Sequence, residues 1–309
     1  MKISVAMATY NGARFIKRQL DSIISQIRLP DEIVISDDCS IDETLDIISE
    51  YQNKMIAVSW IVVQNQKNLG WRQNFANAIR LTTGDIIFLA DQDDEWNKNK
   101  IKEMSLLIQN NEDILLLVSG YVTIEETSSL KNKSLLNRGN QNGAIRKIGF
   151  DRYFYMNHYP GCTYAFRKEC KDWFSLPIWS KNQAHDEFIM VLAKLKNRVY
   201  CYDKPLIYFI RHETSATYGK KLNFRDRIEL LNEKNYELNI AEEFLKINID
   251  IIDKETKNKI INECKEFIGF RIRWLEKPNC KSFLKLISKY RDYEKIKFFF
   301  TDIYCAFKR

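Results

Sequence analysis

Strand–helix alternation is the feature that most limits the folds open to this chain. Short apolar runs at residues 3–8, 32–36, 57–63, 85–90 and 114–119 are separated by segments with apolar residues at helical spacing. Phe15, Leu20, Ile23 and Ile24 form one such set, and Ile101, Met104, Leu107 and Ile108 another. Short, continuously apolar runs suit strands buried on both faces, and the intervening segments suit the helices that cover them. The pattern predicts an α/β fold with a Rossmann-like, mostly parallel sheet flanked by helices. In such sheets ligands bind outside the carboxyl ends of the strands, so chemistry is expected just after each run.

Three runs end in polar or acidic turns: Thr9-Tyr10-Asn11-Gly12, Asp37-Asp38-Cys39-Ser40 and Asp91-Gln92-Asp93-Asp94. The third is the most informative. Three Asp within four residues repel one another unless a counter-charge joins them. Carboxylate oxygens suit a hard divalent cation, Mg2+ or Mn2+. Such an ion completes its shell with phosphate oxygens and water, so the turn fits a metal–diphosphate better than a closed structural cage. The plainer alternative is an acidic helix start, and within it Asp94 is expected to cap the next helix. Asp38, at a strand end, could accept a hydrogen bond from a nucleobase N–H or a ribose hydroxyl, or serve as a helix cap. No Gly-x-Gly-x-x-Gly follows the first run, which weighs against a dinucleotide-dependent oxidoreductase.

The rest of the chain is read more coarsely. Residues 123–142 are polar and predict a loop over the sheet edge. Order returns at 161–167, a helix is expected at 184–196, and strands at 199–202 and 206–210. From about residue 224 the pattern is helical to the end, broken near Pro278. Seven Cys at irregular spacing, without a C-x-x-C, predict reduced thiols rather than a disulfide framework or zinc site. The first residues read as a strand and no apolar run reaches 18 residues, so neither a secretory leader nor a membrane span is expected. A cytoplasmic location follows, with the inner face of the cell membrane as its variant.

The net charge of +7 is confined to the tail. Residues 265–309 hold twelve Lys/Arg against five Asp/Glu, and the remainder is balanced. Aromatic residues run through the same segment. Two readings stand: a helical cap packed on the rest of the chain, or peripheral contact with an anionic membrane. No recognition motif accompanies the charge, so nucleic acid is not an expected partner.

Four ordered motifs carry a family resemblance. Ser4 to Gly12, Glu32 to Asp42, Asn68-Leu69-Gly70 with Asn74, and Asp91-x-Asp93 together resemble family 2 glycosyltransferases, over about residues 1–215. The Asp-Gln-Asp-Asp-x-Trp variant is similar to the bacterial polysaccharide and rhamnosyl transferase subgroup. The resemblance implies a GT-A-type fold and inverting transfer from a dTDP- or UDP-linked sugar. The acceptor would be a saccharide or a polyprenyl-diphosphate-linked sugar, and the cofactor Mg2+ or Mn2+. Rhamnose is the first expectation for the sugar; a UDP-hexose or UDP-N-acetylhexosamine donor, or a catalytically impaired binding subunit, are the alternatives.

By that resemblance Thr9, Tyr10, Asn11, Asp38, Arg72, Asn74, Asp91 and Gln92 bind the nucleotide-sugar. Tyr10 and Asp38 would hold the base, Asp91 the ribose side, and Asp93 the metal. His212 resembles a His near the end of the family's catalytic domain that completes the metal shell or binds phosphate. An inverting transfer needs one carboxylate to take the acceptor hydroxyl proton. Asp186 matches the family's Asp there, with Glu187 as the other candidate, and Gly161 and Cys162 would line the acceptor side. The chain departs from the pattern at Cys39 (usually Gly), at Asn74-Phe75-Ala76 (usually Ala-Arg-Asn) and at His185 (usually Glu). The expected domains are a catalytic domain at 1–219, split at 120 into donor and acceptor halves, and a helical extension at 220–309.

Overall fold

The computed structural model describes residues 1–126, the backbone of 136–138, and residues 143–213 and 223–308. Within them the chain forms two compact units. The first comprises Met1–Gly149, His158–Ala193 and Asn197–Tyr218; the second comprises Phe150–Asn157, Lys194–Lys196 and Gly219–Arg309.

The first unit opens with β1 (Ile3–Thr9), α1 (Ala13–Ile24), β2 (Glu32–Asp37), α2 (Thr44–Lys54), β3 (Ser59–Gln64), α3 (Trp71–Leu81) and β4 (Ile86–Ala90). β1, β2 and β4 are buried along their whole length, whereas β3 at the edge is not. The rest of this unit contains β5 (Glu95–Trp96), α4 (Lys100–Asn110), β6 (Leu116–Glu125), β7 (Leu136–Arg138), β8 (Ile145–Ile148), β9 (Tyr164–Arg167), α5 (Glu169–Asp172), all but the last two residues of α6 (His185–Leu195), and β10 (Val199–Arg211).

One sheet joins them in the order β3-β2-β1-β4-β9-β6-β10-β5, with β7 on β6 and β8 on β10. The first four strands are parallel, as the alternation predicts. Beyond β4 the sheet is mixed, because β9 runs antiparallel between β4 and β6. Ile3, Val5 and Met7 pack with Ile16 and Leu20 of α1 and Ile101 and Met104 of α4 in one core. The alternate residues Ser4, Ala6 and Ala8 are small, leaving room for α3 on the other face.

Two local expectations change. The strand pair expected at 199–202 and 206–210 is a single strand, β10, with irregular register around Pro205. A proline removes one ladder donor and bulges the strand without ending it. The segment expected as a loop at 123–142 contains the end of β6 and all of β7, and most of the remainder lies outside the described residues.

The second unit is helical: α7 (Phe224–Ile247), α8 (Lys254–Glu276), α9 (Cys280–Ser288) and α10 (Ile296–Phe307). Asn223 with Asp226, and Asn279 with Ser282, close reciprocal capping boxes at α7 and α9. The helical pattern breaks at 248–253 as well as near Pro278, with Asp253 in the left-handed region at φ 56°. Asp302 of α10 is fully buried and ties three elements together. It accepts from Arg227 Nε (2.6 Å), Arg271 Nε (2.8 Å) and Tyr293 Oη (2.6 Å). All seven Cys are free thiols. No helix among the described residues is long and apolar enough to cross a membrane.

Candidate active site

Parallel pairing brings the ends of β1, β2 and β4 to one edge of the sheet, Thr9 opposite Asp37 and Met7 opposite Ala90. The three polar turns therefore meet there. Thr9 Oγ1 donates to Asp37 Oδ2 (2.8 Å), which also accepts from Ser40 Oγ (2.6 Å). Asn11, at φ 43°, receives the Ile41 N–H on its side-chain oxygen (2.9 Å) and donates its own N–H to Ser40 Oγ (2.9 Å). Tyr10 presents its ring to solvent.

Asp38 is a hub. Its buried carboxylate accepts from the backbone N–H groups of Leu69 and Gly70 (both 2.8 Å) and from Asn65 Nδ2 (2.9 Å). Three of roughly four lone-pair positions are thereby used, leaving one for a further donor. Asn74 is buried and donates to the Thr9 carbonyl (3.1 Å) while accepting from Asn65 (2.9 Å). It thus braces α3 against β1. Arg72 lies over the exposed Trp71 ring at 4.7 Å.

The acidic turn divides into four distinct environments. Gln92 pairs with the backbone of Tyr10, accepting its N–H at 2.9 Å and donating to its carbonyl at 3.1 Å. A Cβ at Gly12 would fall 2.3 Å from Gln92 Oε1, so only glycine admits this clamp. Asp93 points its carboxylate at His212, with Oδ2 2.9 Å from Nε2, and the imidazole stacks on Phe15 at 4.1 Å. Asp94 does not cap α4, which is preceded by Asn99. It is fully buried and accepts from the Ile210 N–H (3.1 Å), linking the turn to β10. Burial and Asp93 push its pKa up to about 7. Burial, with Asp94, Asp93 and Asp186 nearby, also raises Asp91 well above the carboxylate range.

Lys100 was not singled out from the sequence. It is fully buried at the start of α4, with its ammonium 4.1 Å from the Trp96 ring and 2.5 Å from the Cys162 carbonyl. Burial lowers its pKa to about 7, while Cys162, Asp94 and Asp91 oppose that shift. Its hydrogen bond thus joins the start of α4 to the Gly161–Thr163 turn. A lysine among the apolar residues of α4 was the available signal, but helical surfaces are full of lysines and the pattern does not say which one is inside. Arg18, which no sequence motif marks, donates to the Asp93 carbonyl (2.9 Å).

On the other side of that bridge, Gly161 packs against the first turn of α6. A Cβ there would lie 3.1 Å from His185 Nε2 and 3.2 Å from Asp186 Cβ. Asp186 Oδ1 accepts from the Glu187 N–H (2.9 Å), and both side chains are half-buried. His185 is buried, stacks on Phe75 at 4.0 Å and meets Trp71 edge-on at 6.0 Å. Its pKa falls to about 3 because burial disfavours the imidazolium.

Among the described residues, two donor sets around the acidic turn are available to a cation. Asp91, Asp94 and Cys162 offer ligand atoms within 4.8 Å of one another. Cys162 is a soft donor whose thiol is pushed up by burial and the two carboxylates, and Lys100 already supplies a counter-charge there. That trio fits a hard cation poorly. Asp93 with His212 offers an oxygen and a nitrogen at a partly open position, and this pair fits one better.

A Rossmann-like half-sheet with an acidic turn after its fourth strand, facing a carboxylate at a helix start, defines a nucleotide-sugar transferase class. The family model for glycosyl transferase family 2 matches residues 4–173. The chain belongs to that family and is a glycosyltransferase acting from a nucleotide-sugar donor on a saccharide acceptor. It is 35% identical over 244 residues to the dTDP-rhamnosyl transferase RfbG of Shigella flexneri, covering 74% of this chain and 80% of that protein. It is 34% identical over 121 residues to the poly(ribitol-phosphate) beta-N-acetylglucosaminyltransferase TarS of Staphylococcus aureus, covering 38% of this chain and 21% of that one. The fold resembles TarS 1–349 in complex with UDP-GlcNAc, with a TM-score of 0.63 at 21% identity over 91% of this chain and 77% of that one. It also resembles the mannosyltransferase PcManGT of Pyrobaculum calidifontis in complex with GDP-Man and Mn2+, with a TM-score of 0.54 at 13% identity over 99% and 85% of the two chains.

Proposed function

We propose that this enzyme transfers rhamnose from dTDP-rhamnose, with inversion, in the synthesis of a bacterial surface polysaccharide. The acceptor in this reading is a saccharide or a polyprenyl-diphosphate-linked sugar. The observation that carries the reaction is the convergence of Asp91, Asp93 and Asp186 in the first unit, where Asp186 raises the pKa of Asp91. The likeness to RfbG over most of both chains supports the sugar.

In this reading residues 1–219 form the catalytic domain and residues 220–309 a helical extension. Tyr10 and Asp38 face the base, Asp91 the ribose, and Arg72 the phosphates. Asp93 and His212 hold Mg2+ or Mn2+, which would supply positive charge to the departing diphosphate. Asp186 accepts the proton of the acceptor hydroxyl as its oxygen attacks the anomeric carbon and the bond to the dTDP oxygen breaks. The Glu187 N–H holds one Asp186 oxygen, orienting the carboxylate for that transfer. Gly161 and Cys162 shape the acceptor side next to it.

Asp186→Asn should lower kcat about 10²- to 10⁴-fold while leaving donor-induced thermal stabilisation intact. Asp93→Asn should abolish the Mn2+-dependent part of that stabilisation. Unchanged turnover in both variants would refute the mechanism. A second reading, a UDP-N-acetylhexosamine donor, is supported by the 34% identity to TarS over 121 residues. Greater stabilisation by UDP-GlcNAc than by dTDP-rhamnose would select it.

A further inference from the structure

α10 is apolar on two sides. Its inner side buries Phe299, Cys305 and Ala306 within the helical unit. Its outer side leaves Ile296, Phe300, Tyr304 and Phe307 exposed by 53%, 60%, 54% and 75%. At 100° per residue these four fall within an arc of about 80° and extend along about 16 Å of helix. Single exposed hydrophobic residues are ordinary, whereas a contiguous stripe marks an interaction surface.

Rotation of α10 does not hide this stripe, because Asp302 is held by Arg227, Arg271 and Tyr293 on the opposite side. α9 repeats the arrangement on a smaller scale. Leu286 is buried there, while Leu284 and Ile287 are exposed beside Lys281 and Lys285.

We infer that the α10 stripe docks on an anionic lipid bilayer. Charge decides between the candidate occupants. Residues 277–309 contain nine Lys/Arg against three Asp/Glu, and Asp302, one of the three, is buried in its clamp. Lys295 and Lys297 are exposed at the first turn of α10 and Lys308 at its end. A second copy of the chain would set this basic surface against its own image, which like-charge repulsion opposes. An anionic surface attracts it, by roughly fivefold in partitioning per Lys close to the lipid. Aromatic side chains between lysines suit the headgroup boundary, where one face is apolar and the other wet. This inference rests on the helical unit alone and does not depend on the identity of donor or acceptor.

Vesicle sedimentation of the full chain tests it. Vesicles of phosphatidylglycerol and phosphatidylcholine in equal parts should bind the protein at least tenfold better than pure phosphatidylcholine. Phe300→Ser with Phe307→Ser, and separately Lys295→Glu with Lys297→Glu, should each reduce that binding at least tenfold without changing turnover of a soluble acceptor. Phe300→Trp gives a readout that does not depend on a destabilising change: the emission of the introduced indole should shift to the blue on binding and be quenched by brominated lipid. Equal binding to both vesicle types, or indole emission left unquenched in the vesicle-bound Phe300→Trp protein, would overturn the inference. So would concentration-dependent self-association abolished by the Phe300→Ser, Phe307→Ser variant, which would assign the stripe to a second copy.

Discussion

His185 shows how a single side chain at the site is governed by its surroundings. The ring lies in an aromatic corner made by Phe75 and Trp71, and its pKa falls to about 3 from an ordinary value near 6.5. Above pH 6.5 the imidazole is neutral in both the folded and unfolded chain and has no effect on the pH dependence of folding. Between pH 6.5 and 3 the unfolded chain takes up a proton that the folded chain refuses. The unfolded state then binds more protons, so stability falls as pH falls, by about 1.4 kcal/mol per pH unit from this residue. Urea unfolding of wild type and His185→Gln between pH 4 and 7 should show a steeper acid loss in wild type. Parallel curves would mean the ring is not buried as a neutral imidazole. Asp186 follows directly in the chain, so the neutral ring places no positive charge beside the proposed base.

At the scale of elements, the site depends on clamps between strand ends and loops. Gln92 fastens the acidic turn to the end of β1 through two hydrogen bonds, and Gly12 makes room for it. Asp38 fastens β2 to the loop before α3, and Lys100 fastens the start of α4 to the Gly161–Thr163 turn. Each clamp positions groups that come from distant parts of the chain. Gln92→Ala removes two hydrogen bonds, each contributing about 1 kcal/mol. The expected result is a rise of about tenfold in donor KM with kcat changed less than threefold, and steady-state kinetics would check it. A drop confined to kcat would instead place Gln92 at the reacting centre.

At the scale of the molecule, an α/β unit bears the site and a helical unit bears the basic surface. The helical unit is organised around Asp302, whose carboxyl burial alone would raise but which Arg271 and Arg227 hold below the carboxylate range. Asp302→Asn leaves two buried guanidinium groups with a weaker partner. It should lower stability by about 3–5 kcal/mol, read as a shift in the urea midpoint of the unit's helical signal. A change under 1 kcal/mol would show that the clamp is not a determinant of that unit. Because the folded pKa is depressed, its contribution is present above about pH 4 and is lost as pH falls below that.

Sequence alone determined the parallel half of the sheet, the edge on which the polar turns gather and the helical nature of the tail. These follow from local periodicity and from polar residues after apolar runs, and both are properties of neighbours in the chain. The Asp91-to-Asp94 turn and the family motifs were legible for the same reason. What the turn's residues do individually was decided only by tertiary structure. Asp94, expected at a helix cap, is buried against β10, more than a hundred residues away in sequence. Lys100 is internal because Cys162 and Trp96 close over it, and the outer stripe of α10 is exposed because Asp302 holds the opposite side inward. Burial is set by which distant segments pack together, and it is burial that fixes the charge, the pKa and the available lone pairs of each group.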